Sequence, residues 1–210
     1  MSHSKAGTLA VAALVTMAAG CASNSGRGAG IGGGSGIGYA TGATVRRTII
    51  AAAVGGVAGA EISRQMDGLA EELSYELPGA TVQRFGEGIA LTLPEGTLFL
   101  YGSDQLLPAA REDMHRVAAS LAKYPGMRAL IVGHTDSQGN AVFNADLSER
   151  RAQSAATVIA AEGIAPARIG TAGRGESEPI ATNATEAGRQ QNRRIEVAIS
   201  ADPATRRAGN

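Results

Sequence analysis

The chain reads as an α+β protein with helices on one face of a mixed sheet. Three patterns predict this. Ala129-Leu130-Ile131-Val132 is a short continuous apolar run of the kind a buried strand carries. Ile195, Val197 and Ile199 fall on one face at period two, a strand facing a core. Apolar residues also recur at helical spacing, first Leu107, Ala110, Met114, Val117 and Leu121, then Phe143, Leu147, Ala155, Val158 and Ile159. The resulting order of strand, helix, strand, helix, strand, loop and strand is an α+β sandwich.

Within the globular part, residues 78–200, Gly88 to Leu93 and Thr97 to Leu100 read as strand segments broken by Pro94-Glu95-Gly96. Pro108 opens the first helix, which stops before Pro125-Gly126. The second helix stops at Gly163, a strand runs near Arg168 to Ala172, and a polar loop leads to the last strand at Arg194. Residues 201–210 read as a disordered tail.

The front of the chain differs in kind. Residues 1–20 carry His3 and Lys5, an apolar core from Leu9 to Met17, and Ala18-Ala19-Gly20 before Cys21. This is the layout of a secretory signal, too short to span a bilayer. Small residues directly before a cysteine resemble the bacterial lipoprotein signal, in which that cysteine is acylated, although Ala18 stands where leucine is usual. Cys21 is the single cysteine, which excludes an intrachain disulfide and a cysteine metal cage. Each buried methylene contributes about 0.8 kcal/mol, so several acyl chains, palmitate among them, hold a protein stably to lipid. Ala22 after the cysteine points to the outer membrane.

Residues 21–47 form a glycine-rich tether, and the letters of Gly28 to Gly33 fit a dinucleotide pattern with no strand before them, hence by composition alone. Residues 48–77 are a helical segment in two parts. Ile49 to Ala60 is apolar and small, with Gly55 and Gly59 at glycine-zipper spacing. Three placements suit it: the membrane surface, a homo-oligomer through this glycine-rich helix, or a hairpin. Ile62, Met66, Leu69, Leu73 and Leu77 follow at steps of three and four, either a coiled-coil seam or a stripe packed on the protein's own domain.

Composition narrows the partners. With 19 basic and 19 acidic residues, the chain has neither the basic surplus nor the aromatic platforms of a nucleic-acid binder. Three histidines, one inside the signal, leave no third ligand for a zinc site, so no metal or cofactor is expected. No nucleophile elbow or phosphate loop appears, and Glu176 and Glu178 share one loop without an acid partner. An enzyme is not expected.

The stretch that the rest presents runs from Gly133 to Arg151. Asp136 lies at the mouth of the Ala129 to Val132 strand, in a turn marked by Ser137 and Gly139. Helix positions seven apart differ by about 20° around the axis, so Asn144 and Arg151 share one face. A carboxylate, an amide and a guanidinium around one patch suit a zwitterionic ligand.

Gly133-His134-Thr135-Asp136, Gly139, Asn144, Leu147-Ser148, Arg151-Ala152, Arg168-Ile169, Gly173-Arg174-Gly175-Glu176, Asn183, Gly188-Arg189 and Asn192-Arg193-Arg194 together resemble the OmpA-like peptidoglycan-binding domain. With the signal and glycine-rich segment in front, the whole chain resembles a YiaD-type outer-membrane lipoprotein. The resemblance implies a β-α-β-α-β-β core, peptidoglycan as partner, and a cell outer-membrane location with the domain facing the periplasm. It assigns stem-peptide diaminopimelate to Asp136 and Arg151, with Asn144 in support. Where members often carry an aspartate after the first-strand phenylalanine, this chain has Leu100. Tethering the outer membrane to the wall is the implied role, and anchoring a larger envelope assembly is its alternative.

Overall fold

A computed structural model describes residues 59–94, 98–100 and 102–208. The signal, Cys21, the tether and the glycine-zipper stretch up to residue 58 lie outside the described residues. Helix α1 (Ala60–Glu76) leads into strands β1 (Thr81–Phe85) and β2 (Gly88–Pro94), then α2 (Pro108–Lys123), β3 (Met127–His134) and α3 (Ala141–Ala161). Strand β4 (Ile169–Gly173), α4 (Glu186–Asn192), β5 (Arg194–Ala201) and α5 (Pro203–Ala208) complete it.

The sheet order is β1-β2-β5-β3-β4, with β3 and β4 parallel and the other pairs antiparallel. The last strand therefore enters the middle, where Ile195, Val197 and Ile199 face Gly133, Ile131 and Ala129 across the ladder. These residues join the helices in the main core, while Leu130, Val132, Ala90 and Ala198 form a small cluster on the other face. The mixed sheet expected from the sequence is the one found.

The stripe on α1 belongs to that main core. Met66, Leu69 and Leu73 are fully buried. Glu72 accepts from Ser120 and Lys123 of α2, each at 2.7 Å, and Asp67 accepts from Arg84 of β1 at 2.9 Å. Of the two readings of the stripe, packing on its own domain is the observed one. A domain boundary at residue 78 thus cuts through a single packed unit.

Four details differ from the sequence reading. Of the expected strand Thr97 to Leu100, Thr97 lies outside the described residues, and Leu98 to Leu100 supplies only an isolated bridge from Phe99 to Leu106, with Leu98 and Phe99 buried in the core. Strand β2 pairs instead with β1, through a turn in which Gly86 takes φ 55°. Phe143 is exposed, since it sits in the first turn of α3 beyond the sheet's cover. Residues Pro203–Ala208 are helical, not disordered. Asp202 starts that turn by accepting from Ala204 N at 2.8 Å, and its own N–H donates to Gly126 O at 2.8 Å.

Two glycines set how closely α3 crosses the sheet. A Cβ on Gly133 would lie 2.1 Å from the Ser148 carbonyl oxygen, and one on Gly173 would lie 2.6 Å from Glu149 N. Neither backbone atom can swing aside, so only glycine lets the helix seat here. That seating carries Asn144, Ser148 and Arg151 over the end of β3.

Candidate functional site

Beyond β3 the chain leaves the sheet through Thr135 and Asp136. Two main-chain bonds pin this exit to the loop after β4: Thr135 N to Gly175 O and Arg174 N to Gly133 O, both 2.9 Å. Asp136 closes its own turn, with Oδ1 accepting from Gln138 N at 2.9 Å. Its Oδ2 accepts from Arg193 Nη1 at 2.7 Å.

Helix α3 starts on Asn140, whose side chain accepts from Phe143 N at 2.8 Å. One turn on, Asn144 Nδ2 lies 3.3 Å from Asp136 O, 3.1 Å from Gln138 O and 2.6 Å from Glu176 Oε2. Two amide hydrogens are shared among three acceptors. The amide therefore stitches the Asp136 turn to the loop after β4.

Arg151 is on the same buried face of α3 as Asn144, as the spacing requires. Its Nε donates to Ser103 O at 2.9 Å, and its guanidinium carbon lies 4.9 Å from the Phe99 ring centroid. Nearby on the same helix, Asp146 pairs with Arg150, and Glu149 accepts from Thr171 and Gln153. The structure thus joins Asp136 to Asn144 and seats Arg151 under the segment before α2.

Access departs from expectation. Asp136, Asn144 and Arg151 are only 5%, 2% and 3% exposed, so the patch is closed, not open. The covers are named by the contacts: Arg193 over the carboxylate, Ser103 and Phe99 over the guanidinium.

Behind the turn, Asn192 is fully buried. Its Oδ1 accepts from Ile180 N and Ala181 N, and its Nδ2 donates to Ala181 O and Asn183 Oδ1. Asn183 Oδ1 in turn accepts from Ser137 N at 3.3 Å. Asn192 organises the polar loop against the site, and no spacing in the sequence singles it out.

The three arginines near it separate into different roles. Arg189 bonds Glu186 and Asn183 O, within its own helix and loop. Arg194 is buried and bonds Glu196, Asn192 O and Glu178 O. Arg193 reaches the site.

His134 is 1% exposed, with Nε2 3.9 Å from Glu196 Oε2 and no hydrogen bond on either ring nitrogen. Burial, then the charges of Arg194 and Arg174, lower its pKa from 6.5 to about 2, which keeps the ring neutral. Among the described residues, no cluster of three or more His, Cys, Asp and Glu could hold a metal ion.

A five-stranded mixed sheet of this order, with helices packed on one face, is the α+β fold that the comparisons match. Residues 98–193 match the OmpA family model, and the chain belongs to the OmpA family, whose proteins of this type are non-enzymatic domains of the cell envelope. It is 38% identical over 122 residues to the probable lipoprotein YiaD of Escherichia coli K12, covering 58% of this chain and 56% of that protein. To the outer-membrane lipoprotein YfiB of Pseudomonas aeruginosa it is 33% identical over 147 residues, covering 70% of this chain and 88% of that one. The chain therefore spans little more than half of YiaD and most of YfiB. Among solved structures, the cell wall anchor of the T6SS from Pseudomonas aeruginosa superposes with a TM-score of 0.55 at 28% identity, covering 67% of this chain and 97% of that chain.

Proposed function

We propose that the chain is an outer-membrane lipoprotein that binds peptidoglycan non-covalently through stem-peptide diaminopimelate and so ties that membrane to the wall. One observation carries the reading. Of the nine buried polar or charged residues among the described ones, all but Ser120 are on the end of β3, on the first half of α3 or at the α4–β5 junction. A core needs no such concentration, and burying polar groups costs free energy unless they are bonded.

In this reading Asp136 accepts from the ammonium of diaminopimelate, and Arg151 forks onto the carboxylate with two parallel bonds, a geometry lysine cannot reproduce. Asn144 holds the Asp136 turn at the right height. Bonds to charged groups contribute about 1.5–3 kcal/mol each, so a single stem peptide binds weakly to moderately. A polymeric wall beside a membrane-held domain raises the effective concentration enough for weak sites to serve. Acylated Cys21 supplies the membrane end.

Likeness to the T6SS wall anchor favours a second reading, in which the same binding fixes a larger envelope assembly in place.

The test is co-sedimentation with purified sacculi. Asp136→Asn and Arg151→Lys each keep side-chain bulk and are expected to lose pelleting while the circular dichroism spectrum stays unchanged. Pelleting retained by the double variant overturns the assigned site. Cys21→Ser is expected to move the protein out of the outer-membrane fraction.

A further inference from the structure

A second acid stands at the Asp136 turn. Glu176, in the loop after β4, places Oε2 2.6 Å from Asn144 Nδ2, the same nitrogen that reaches Asp136 O at 3.3 Å. One buried amide thus touches both the Asp136 turn and the Glu176 carboxylate. The backbone beside Glu176 is fixed as well. Gly175, at φ 51°, donates its N–H to Ser148 Oγ at 2.9 Å, and its carbonyl accepts from Thr135 N at 2.9 Å. A Cβ on Gly175 would lie 3.0 Å from Ala145 N, so this loop runs hard against the first turns of α3.

The two acids differ in what remains to them. Asp136 has both oxygens bonded, Oδ1 to Gln138 N and Oδ2 to Arg193 Nη1, and is 5% exposed. Glu176 is only half-buried, and its one hydrogen bond is the neutral amide of Asn144 on Oε2. Among the described residues its Oε1 accepts no hydrogen bond and the carboxylate joins no ion pair. The charge of Asp136 is matched by Arg193, whereas that of Glu176 is not matched by the amide that holds it.

Resting on the diaminopimelate reading, we propose that Glu176 is a further ligand-binding, specificity-determining residue of this site: its carboxylate takes the ligand's ammonium alongside Asp136 and supplies the unmatched negative charge. An ammonium has three donors and no acceptor, so it can bond to two acids at once, and each carboxylate oxygen of Asp136 keeps a second lone pair. The ligand therefore need not expel Arg193. A diacid without an ammonium meets the charge of Glu176 with nothing to offer it, and repulsion rejects it.

The test is NMR titration of the full chain in detergent, with meso-diaminopimelate and with pimelate, the same diacid without its ammonium groups, as probes. Glu176→Gln keeps an oxygen for Asn144 and removes only the charge. It is expected to weaken diaminopimelate binding about tenfold, between the scale of an exposed ion pair and that of a buried charged hydrogen bond. Pimelate binding is expected to stay level or tighten, and the side-chain amide protons of Asn144 to remain protected from exchange. Wild-type affinity for diaminopimelate in Glu176→Gln overturns the proposal. Equal weakening of both probes, or loss of the Asn144 protection together with the affinity, reveals a merely structural role and overturns it too. Should pimelate bind neither protein, the diaminopimelate loss with Asn144 still protected decides alone. Asp136→Asn separates this proposal from the reading beneath it. Should that variant match wild type for diaminopimelate, the site reading fails and Glu176 with it. Should it lose binding while Glu176→Gln matches wild type, only the role of Glu176 falls.

Discussion

Arg168, in the short 3-10 turn before β4, donates from Nη2 to the Tyr124 carbonyl at 2.9 Å, closing the far end of α2. The same group reaches Leu121 O at 2.8 Å, and Nε reaches Met127 O at 2.7 Å. Helix ends leave carbonyls without intrahelical partners, and one guanidinium here satisfies several. Arg168→Ala is therefore expected to lower unfolding free energy by about 2 kcal/mol in urea titration, with sacculus binding by the folded fraction unchanged.

The crossing of α3 over β3 depends on a missing side chain. Gly133→Ala places a methyl group 2.1 Å from the Ser148 carbonyl oxygen, so helix and strand must part. We expect a loss of about 3 kcal/mol or more, seen as a fall in melting temperature, and weaker wall binding because Asn144 and Arg151 ride on the displaced helix.

His134 ties stability to pH. Its folded pKa, about 2, is below the value of 6.5 that the unfolded chain restores. Between these values the unfolded state binds more protons, so stability is intact above about pH 6.5 and falls as pH drops towards 2. Chemical unfolding at pH 7, 5 and 4 is expected to show a loss of roughly 1 kcal/mol per pH unit below pH 6 that His134→Leu removes. Equal slopes in both proteins would sink this account.

Truncation at residue 78 removes α1 and uncovers the apolar face that Met66, Leu69 and Leu73 fill. A fragment of residues 78–208 is expected to be insoluble or molten, whereas residues 59–208 give a cooperative thermal transition. Calorimetry of the two fragments distinguishes the outcomes.

What the sequence made legible follows from locality. The β3 run, the period-two pattern of β5 and the helical stripes are each carried by neighbours along the chain, so their elements and the sheet type could be read. Strand β1 could not, since Arg84 breaks the apolar alternation of its face and is held there by Asp67 on α1 and by Gly88 O. Thr97 to Leu100 has strand composition, but burial of Leu98 and Phe99 overrode it. The short helix at the end was hidden because its start depends on Asp202 and its docking on Gly126, which is remote in sequence. The placement of Asp136 in a turn, and of Asn144 and Arg151 on one buried helix face, was legible from turn chemistry and helical spacing. The bond from Arg193 to Asp136 spans 57 residues, and no periodicity records a pair so far apart.

The packing of α1 also decides where force goes. In the proposed tether, a pull between the residues before Gly59 and a ligand at the end of β3 meets α1 first. It must shear the Glu72 clasp to α2 and the Asp67 contact to β1 before it strains the central strands. In the proposed tether the first helix would thus be a sacrificial element, able to peel and recoil while the end of β3 keeps its shape.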